Sequence, residues 1–171
     1  MEAIGRVCLI LALGVSVYGV GASFYGARMR RREWVDSGRR SVYGVFALAA
    51  IAFGVLEVAF LTNDFSFNVV ATHSSTTTPW YYRAAAAWSS QEGSLLLWVL
   101  LLSMWSSVIL FTTRRRMRDV APYATATLLV FSAFFASLLV LAANPFDTSA
   151  IAPTEGTGLQ PLLRKIGKSV V

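Results

Sequence analysis

The chain has 171 residues, of which 56% are hydrophobic and 14% charged, with a formal net charge of +6. Soluble domains carry about 25% charged residues; here the charges cluster between long apolar runs without polar faces, which excludes a water-soluble globule and points to a polytopic membrane protein. The arginine excess flanks those runs and reads as a membrane-insertion signal rather than a nucleic-acid footprint, so no nucleic acid is expected as a partner.

The first span is expected over about residues 4–25. It is long enough to cross a bilayer at 1.5 Å per residue. Its basic cluster follows it rather than precedes it, the reverse of a signal peptide. Cys8 lies inside this run as a small apolar filler. With no Cys-x-x-Cys, the chain is neither a thioredoxin-like reductant nor a haem-attached c-type cytochrome. Arg28, Arg30, Arg31, Arg32, Arg39 and Arg40 come next, set against Glu33 and Asp36.

The second span is expected over about 41–61, the third over 93–113 and the fourth over 121–143. Pro122 opens the fourth, where a first helical turn tolerates it. Arg114, Arg115, Arg116 and Arg118 lie between the third and fourth. The loop over 62–92 holds a single arginine, Arg83. The positive-inside rule therefore puts both arginine segments in the cytoplasm, and both termini and the long loop outside. Residues 144–171 become an outer tail, and Arg164, Lys165 and Lys168 lie more than about 20 residues past the last span, where the rule loses weight. Small residues recur at four-residue spacing in the pairs Ala12 with Ser16, Gly19 with Ser23, and Ala50 with Gly54. Such faces let helices approach closely, within the chain or against a partner.

The outer loop is the least ordinary stretch. Phe65, Phe67 and Val69 alternate with Ser66 and Asn68, an extended pattern. Ser74 to Pro79 reads as loop. Trp80, Tyr81 and Tyr82 precede Arg83 and four alanines, which predicts a short helix over 80–90 lying on the outer membrane surface. The fold class is therefore all-α: four transmembrane helices with a short interfacial helix between the second and third.

The loop aromatics, with Trp88 and Trp98, fit an interfacial belt or a platform for a flat ligand such as a porphyrin. His73 is the only histidine. One imidazole cannot build a closed metal site, so no metal centre is expected, whereas a haem needs only one or two axial ligands. The ordinary reading of His73 is a solvent-exposed or hydrogen-bonded loop residue. Glu57 lies about 9 Å below Asn63 by helical rise. A membrane carboxylate is a functional candidate, or it reaches to water or to Arg83. Glu92 in the first turn of the third span favours the helix dipole. No P-loop, Gly-x-Ser-x-Gly or His-Glu-x-x-His is present, so no catalytic residue is assigned.

The segments Asn63-Asp64-Phe65-Ser66, Val70-Ala71-Thr72-His73-Ser74, Trp88 and Glu92-Gly93-Ser94-Leu95-Leu96-Leu97-Trp98 resemble the N-terminal part of the CcmF family, the membrane haem lyase component of cytochrome c maturation. Asn144-Pro145-Phe146, Glu155-Gly156 and Gly158-Leu159-Gln160-Pro161-Leu162-Leu163 match in the same order. The resemblance implies a protein of the bacterial cytoplasmic membrane that receives haem at the outer face with a haem-carrying chaperone. It also implies a role in directing haem onto the Cys-x-x-Cys-His of apocytochrome c. His73, Trp88, Glu92 and Trp98 become the candidate haem-facing residues, with Trp88, Glu92 and Trp98 as anchors.

Two departures qualify the resemblance. Gln91 stands where the family commonly has histidine. After Leu163 the chain reads Arg164-Lys165-Ile166-Gly167-Lys168-Ser169-Val170-Val171 in place of the family's His-Pro-containing helix and later tryptophan-rich haem motif. The chain is thus expected to need the remaining CcmF-like helices as partner and to bind no haem tightly alone. The alternative is a small membrane scaffold, or a truncated remnant without haem chemistry.

Overall fold

The structure, a computed structural model, describes residues 1–76, 79–112 and 120–148. It contains α1 (Glu2–Arg28), α2 (Arg32–Leu61), α3 (Asn68–His73), α4 (Trp80–Ser89), α5 (Gln91–Thr112) and α6 (Ala121–Leu141). Four of them, α1, α2, α5 and α6, are long and apolar enough to cross a membrane. The expected all-α bundle with a short helix between its second and third spans is what forms. The one strand-like pairing among the described residues is an isolated antiparallel bridge between Phe67 and Thr148.

Two boundaries differ from expectation for a physical reason. The apolar runs mark the bilayer crossing, not the helix. Glu33, Arg39 and Arg40 are good helix formers, so α2 starts at Arg32, well before the apolar run, and α1 continues to Arg28. The cytoplasmic arginine loop expected over 26–40 is in fact a turn of three residues, 29–31, with Arg32, Arg39 and Arg40 on a helix. At the other boundary, the extended pattern over 65–69 gives way to helix at Asn68, leaving Phe67 alone in strand-like pairing. The expected arginine loop 114–118 and most of the expected tail 144–171 lie outside the described residues.

Both descending turns are Schellman motifs. After α1, Arg30 N–H donates to Ala27 O and Arg31 N–H to Gly26 O, with Arg30 at φ 53°. After α2, Asn63 N–H donates to Phe60 O and Asp64 N–H to Ala59 O, again with φ 53° at Asn63. Asparagine tolerates this left-handed conformation; arginine does so less readily.

In lipid, burial of apolar surface drives helix association weakly, and close packing matters more. α1 supplies the closeness. Its buried stripe runs Gly5, Cys8, Ala12, Ser16, Gly19, Ser23 and Gly26. A Cβ on Gly19 would stand 2.6 Å from the Ser41 Cβ, and one on Gly26 would stand 2.7 Å from the Val35 backbone nitrogen. α1 packs on α2 and α6, and α5 joins those two, which closes a ring of four helices. The pairs Ala12–Ser16 and Gly19–Ser23 therefore serve packing within the chain. Ala50 and Gly54 face outward, and Gly54 has open space beside it. Buried hydroxyls do not bridge helices: Ser16, Ser103, Ser106, Ser107, Thr125 and Ser132 each donate to a carbonyl one turn earlier on their own helix.

Candidate functional surface at the aromatic end

One end of the ring gathers the N-terminus, residues 62–90 and residues 142–148. Beyond the Schellman turn of α2, Asp64 Oδ1 accepts from Ser66 N–H at 3.2 Å and from Ser66 Oγ at 2.5 Å. Phe67 is buried, and its ring meets Phe146 edge-on at 6.3 Å between centroids. Asn68 N–H donates to Asp147 O at 3.0 Å. Phe146 itself is fully buried and closes over Gly5, where a Cβ would collide with its ring. Arg6 pairs with Glu2 at 3.1 Å and with Asp147 at 3.4 Å. These pairs are exposed and contribute little by themselves; the aromatic contacts hold the two segments together.

α3 turns its Val69, Val70 and Ala71 inward. Ser74 Oγ donates to Asn63 Oδ1 at 3.1 Å, which ties the end of α3 back to the start of the loop. His73 is exposed at that end. Its Nδ1 lies 3.1 Å from Val69 O and 2.9 Å from Thr72 Oγ1. Thr72 Oγ1 donates to Asn68 O at 2.8 Å, so it meets the imidazole as an acceptor. Both neighbours of Nδ1 can accept, so in the neutral ring the proton sits on Nδ1 and Nε2 carries the lone pair. No described residue occupies Nε2.

α4 lies across α2 and α5 and buries Ala87. Alanines let its backbone sit close while the larger rings project outward. Trp80, Tyr81, Tyr82 and Trp88 are all more than half exposed, as is Trp98 on α5. Trp80 meets Tyr81 edge-on at 5.9 Å, and Tyr81 lies 4.7 Å from Tyr82. Among the described residues Trp88 and Trp98 stack on no other ring. An interfacial belt and a platform both require this outward exposure.

Arg83 Nη1 donates to Leu61 O at 3.1 Å, placing a cation on the C-terminal carbonyls of α2. The alternative partner, Glu57, is half-buried on α2 and makes no hydrogen bond or ion pair among the described residues. The pairing of Glu57 with Arg83 is not formed among the described residues; Arg83 Nη1 goes to the helix end instead.

The corner between α4 and α5 rests on Ser90, which sequence reasoning passed over, and on Gly93, which it named only within the Glu92–Trp98 segment. Ser90 is buried, and its Oγ accepts from Gly93 N–H at 3.1 Å, an N-cap bond to the third residue of α5. Gly93 is required because a Cβ there would run into the Ala87 carbonyl. Ser90 carried a readable signal, a serine immediately before an apolar run; the need for glycine at 93 became readable only with the end of α4 in place. Glu92, half-buried, sits beside this cap in the first turn of α5.

The four candidates therefore share one end of the molecule on three different elements: His73 on α3, Trp88 on α4, and Glu92 and Trp98 on α5. His73, Trp88 and Trp98 are exposed and Glu92 is half-buried. No group of three His, Cys, Asp or Glu side chains able to hold a metal occurs among the described residues. Haem is the less demanding test. One exposed imidazole with Nδ1 held on a carbonyl, as in ligating histidines, and outward aromatic faces fit one wall of a haem site.

A closed ring of four membrane-length helices with an ordered, aromatic end defines a polytopic helical membrane protein. No family model matches the chain. Cytochrome c-type biogenesis protein CcmF of Pseudomonas aeruginosa is 36% identical over 165 residues, covering 96% of this chain and 25% of that protein. Its counterpart in Pseudomonas fluorescens is 35% identical over the same coverage. A solved structure of cytochrome c heme lyase CcmF superimposes with a TM-score of 0.77 at 27% identity, covering 85% of this chain and 24% of that one. The chain is similar to CcmF proteins over almost all of its own length and spans about a quarter of the length of the curated relatives it matches.

Proposed function

We propose that this chain is the opening membrane module of a haem lyase in cytochrome c maturation. In this reading its aromatic end faces the outer side of the bacterial cytoplasmic membrane and forms part of the surface where haem meets apocytochrome c. The observation that carries the reading is the superposition on the haem lyase CcmF. The arginines at the other end supply the orientation through the positive-inside rule.

Within this surface, Trp88 and Trp98 offer flat apolar faces to a porphyrin edge or to the apocytochrome. Gly93, Ser90 and Glu92 hold the corner that aims them. His73 offers Nε2 as a contact to haem. Bound haem would supply the vinyl groups that become thioethers on the cysteines of apocytochrome c. The partners are the remaining helices of a CcmF-like protein, a haem chaperone and apocytochrome c.

Complementation tests the proposal. The chain is expressed in a bacterium lacking its own CcmF, with and without a second chain carrying the remaining helices, and holocytochrome c is read by haem staining. The pair restores holocytochrome; either chain alone does not. Purified alone, this chain shows no stoichiometric Soret band. Equal maturation by the second chain without this one would remove the proposal and leave a membrane scaffold.

A further inference from the structure

The opposite end of the bundle holds an open groove of about 280 Å³ between α2 and α5. Its described walls are Asp36, Arg39, Arg40 and Tyr43 of α2 and Phe111 of α5. The four α2 residues are spaced three, one and three apart, so they line one side of the helix. From Tyr43 to Leu61 the helix rises about 27 Å at 1.5 Å per residue, close to the roughly 30 Å of a bilayer's hydrocarbon core. The groove therefore opens at headgroup level. It is small for a drug-sized ligand, whose pockets start at about 300 Å³.

Its chemistry is that of a phosphate site with an apolar floor. Arg39 is loosely held by Asp36 at 3.8 Å. Arg40 is exposed and, among the described residues, has no ion-pair or hydrogen-bond partner; the Tyr43 hydroxyl has none either. Phe111 is 69% exposed beside them. An arginine reaching to the interface is ordinary in itself. Two guanidiniums and an unpaired phenol converging above an exposed ring are more than that reach requires.

We propose that this groove binds the headgroup of an anionic membrane phospholipid of the phosphatidylglycerol type. Arg40 and Arg39 take the phosphodiester oxygens, with Tyr43 donating a further hydrogen bond. Asp36 accepts from the headgroup hydroxyls, and Phe111 packs on the upper acyl chain. Two arginines against one aspartate leave a single positive charge, which matches one phosphodiester. A choline headgroup would bring its own cation against the guanidiniums.

The test is lipid titration of the purified full chain in neutral detergent, read by native mass spectrometry. Phosphatidylglycerol gives one saturable adduct, and phosphatidylcholine binds at least about tenfold more weakly, as does phosphatidylglycerol to Arg40→Gln, the loss expected for one charge-assisted hydrogen bond. Tyr43→Phe weakens it severalfold and serves if Arg40→Gln does not fold. Arg28→Gln, outside the groove, binds as the parent does. Displacement of the lipid by inorganic phosphate would make this a free-anion site and overturn the proposal. So would equal binding of phosphatidylcholine, undiminished binding by Arg40→Gln and Tyr43→Phe, or an equal loss in Arg28→Gln.

Discussion

At the aromatic end, residues 63–74 and 142–148 fold onto each other through a bridge, a backbone hydrogen bond from Asn68 to Asp147 and a phenylalanine pair. At the arginine end, α1 passes to α2 in three residues, and arginines are displayed there beside exposed rings such as Trp34 and Phe111. Both ends use the same Schellman hydrogen bonds to stop a helix. Beyond the stop they part ways. One end gives about thirty residues to side-chain positions that the bilayer does not dictate; the other returns at once. A segment ordered at that length, on one end only, is where recognition chemistry is to be sought, while the arginine end is shaped first by insertion.

The largest expected contrast is accessibility. In a chain carrying Cys8→Ser, an impermeant thiol reagent added to intact cells labels Thr76→Cys and leaves Glu33→Cys unlabelled until the membrane is opened. The opposite pattern would invert the orientation. Next comes Phe146→Ala, which empties a fully buried ring position and costs about 3–5 kcal/mol in reversible unfolding in detergent. A loss no larger than that of an exposed aromatic such as Trp80→Ala would show that the end is not held from this point.

Gly93→Ala forces a methyl into the Ala87 carbonyl and costs about 1–3 kcal/mol, with α4 becoming quicker to exchange its amides than α5. Unchanged exchange over residues 80–89 would contradict the tight corner. Ser90→Ala removes the cap and costs about 1 kcal/mol in the same unfolding measurement. Smallest is Arg30→Gly, which relieves the left-handed arginine at the bare end and gains about 1 kcal/mol. The matching change at Asn63 gains less, because asparagine already tolerates that conformation. A loss of stability in Arg30→Gly would mean that the Arg30 side chain contributes more than its backbone costs.

The four crossings were legible because twenty apolar residues in a row have one physical use. α4 was legible from its alanines, and the aromatic exposure from ring type. The helical extension through Arg32, Arg39 and Arg40 was not, because hydropathy registers lipid, and charged residues build helices in water as well. α3 was hidden by its alternation: Phe65 and Phe67 do sit in non-helical chain, but Val69, Val70 and Ala71 turn together onto the core as a helix. The use of Arg83 depended on where the end of α2 lands, which local sequence does not state. Of the four candidate site residues, the sequence indicated exposure and location, and the tautomer of His73 became readable only with Val69 and Thr72 in place.

The bridge between Phe67 and Thr148 has a mechanical side. Thr148 lies seven residues past the end of α6, and Phe67 lies immediately before the helix that carries His73. Any pull or rotation applied to the chain beyond Thr148 is delivered, through that bridge and the Phe67–Phe146 pair, to α3 instead of being lost in a slack tether. The start of α3 and the end of the described chain are thus tied to one point, where Phe146 rests on Gly5.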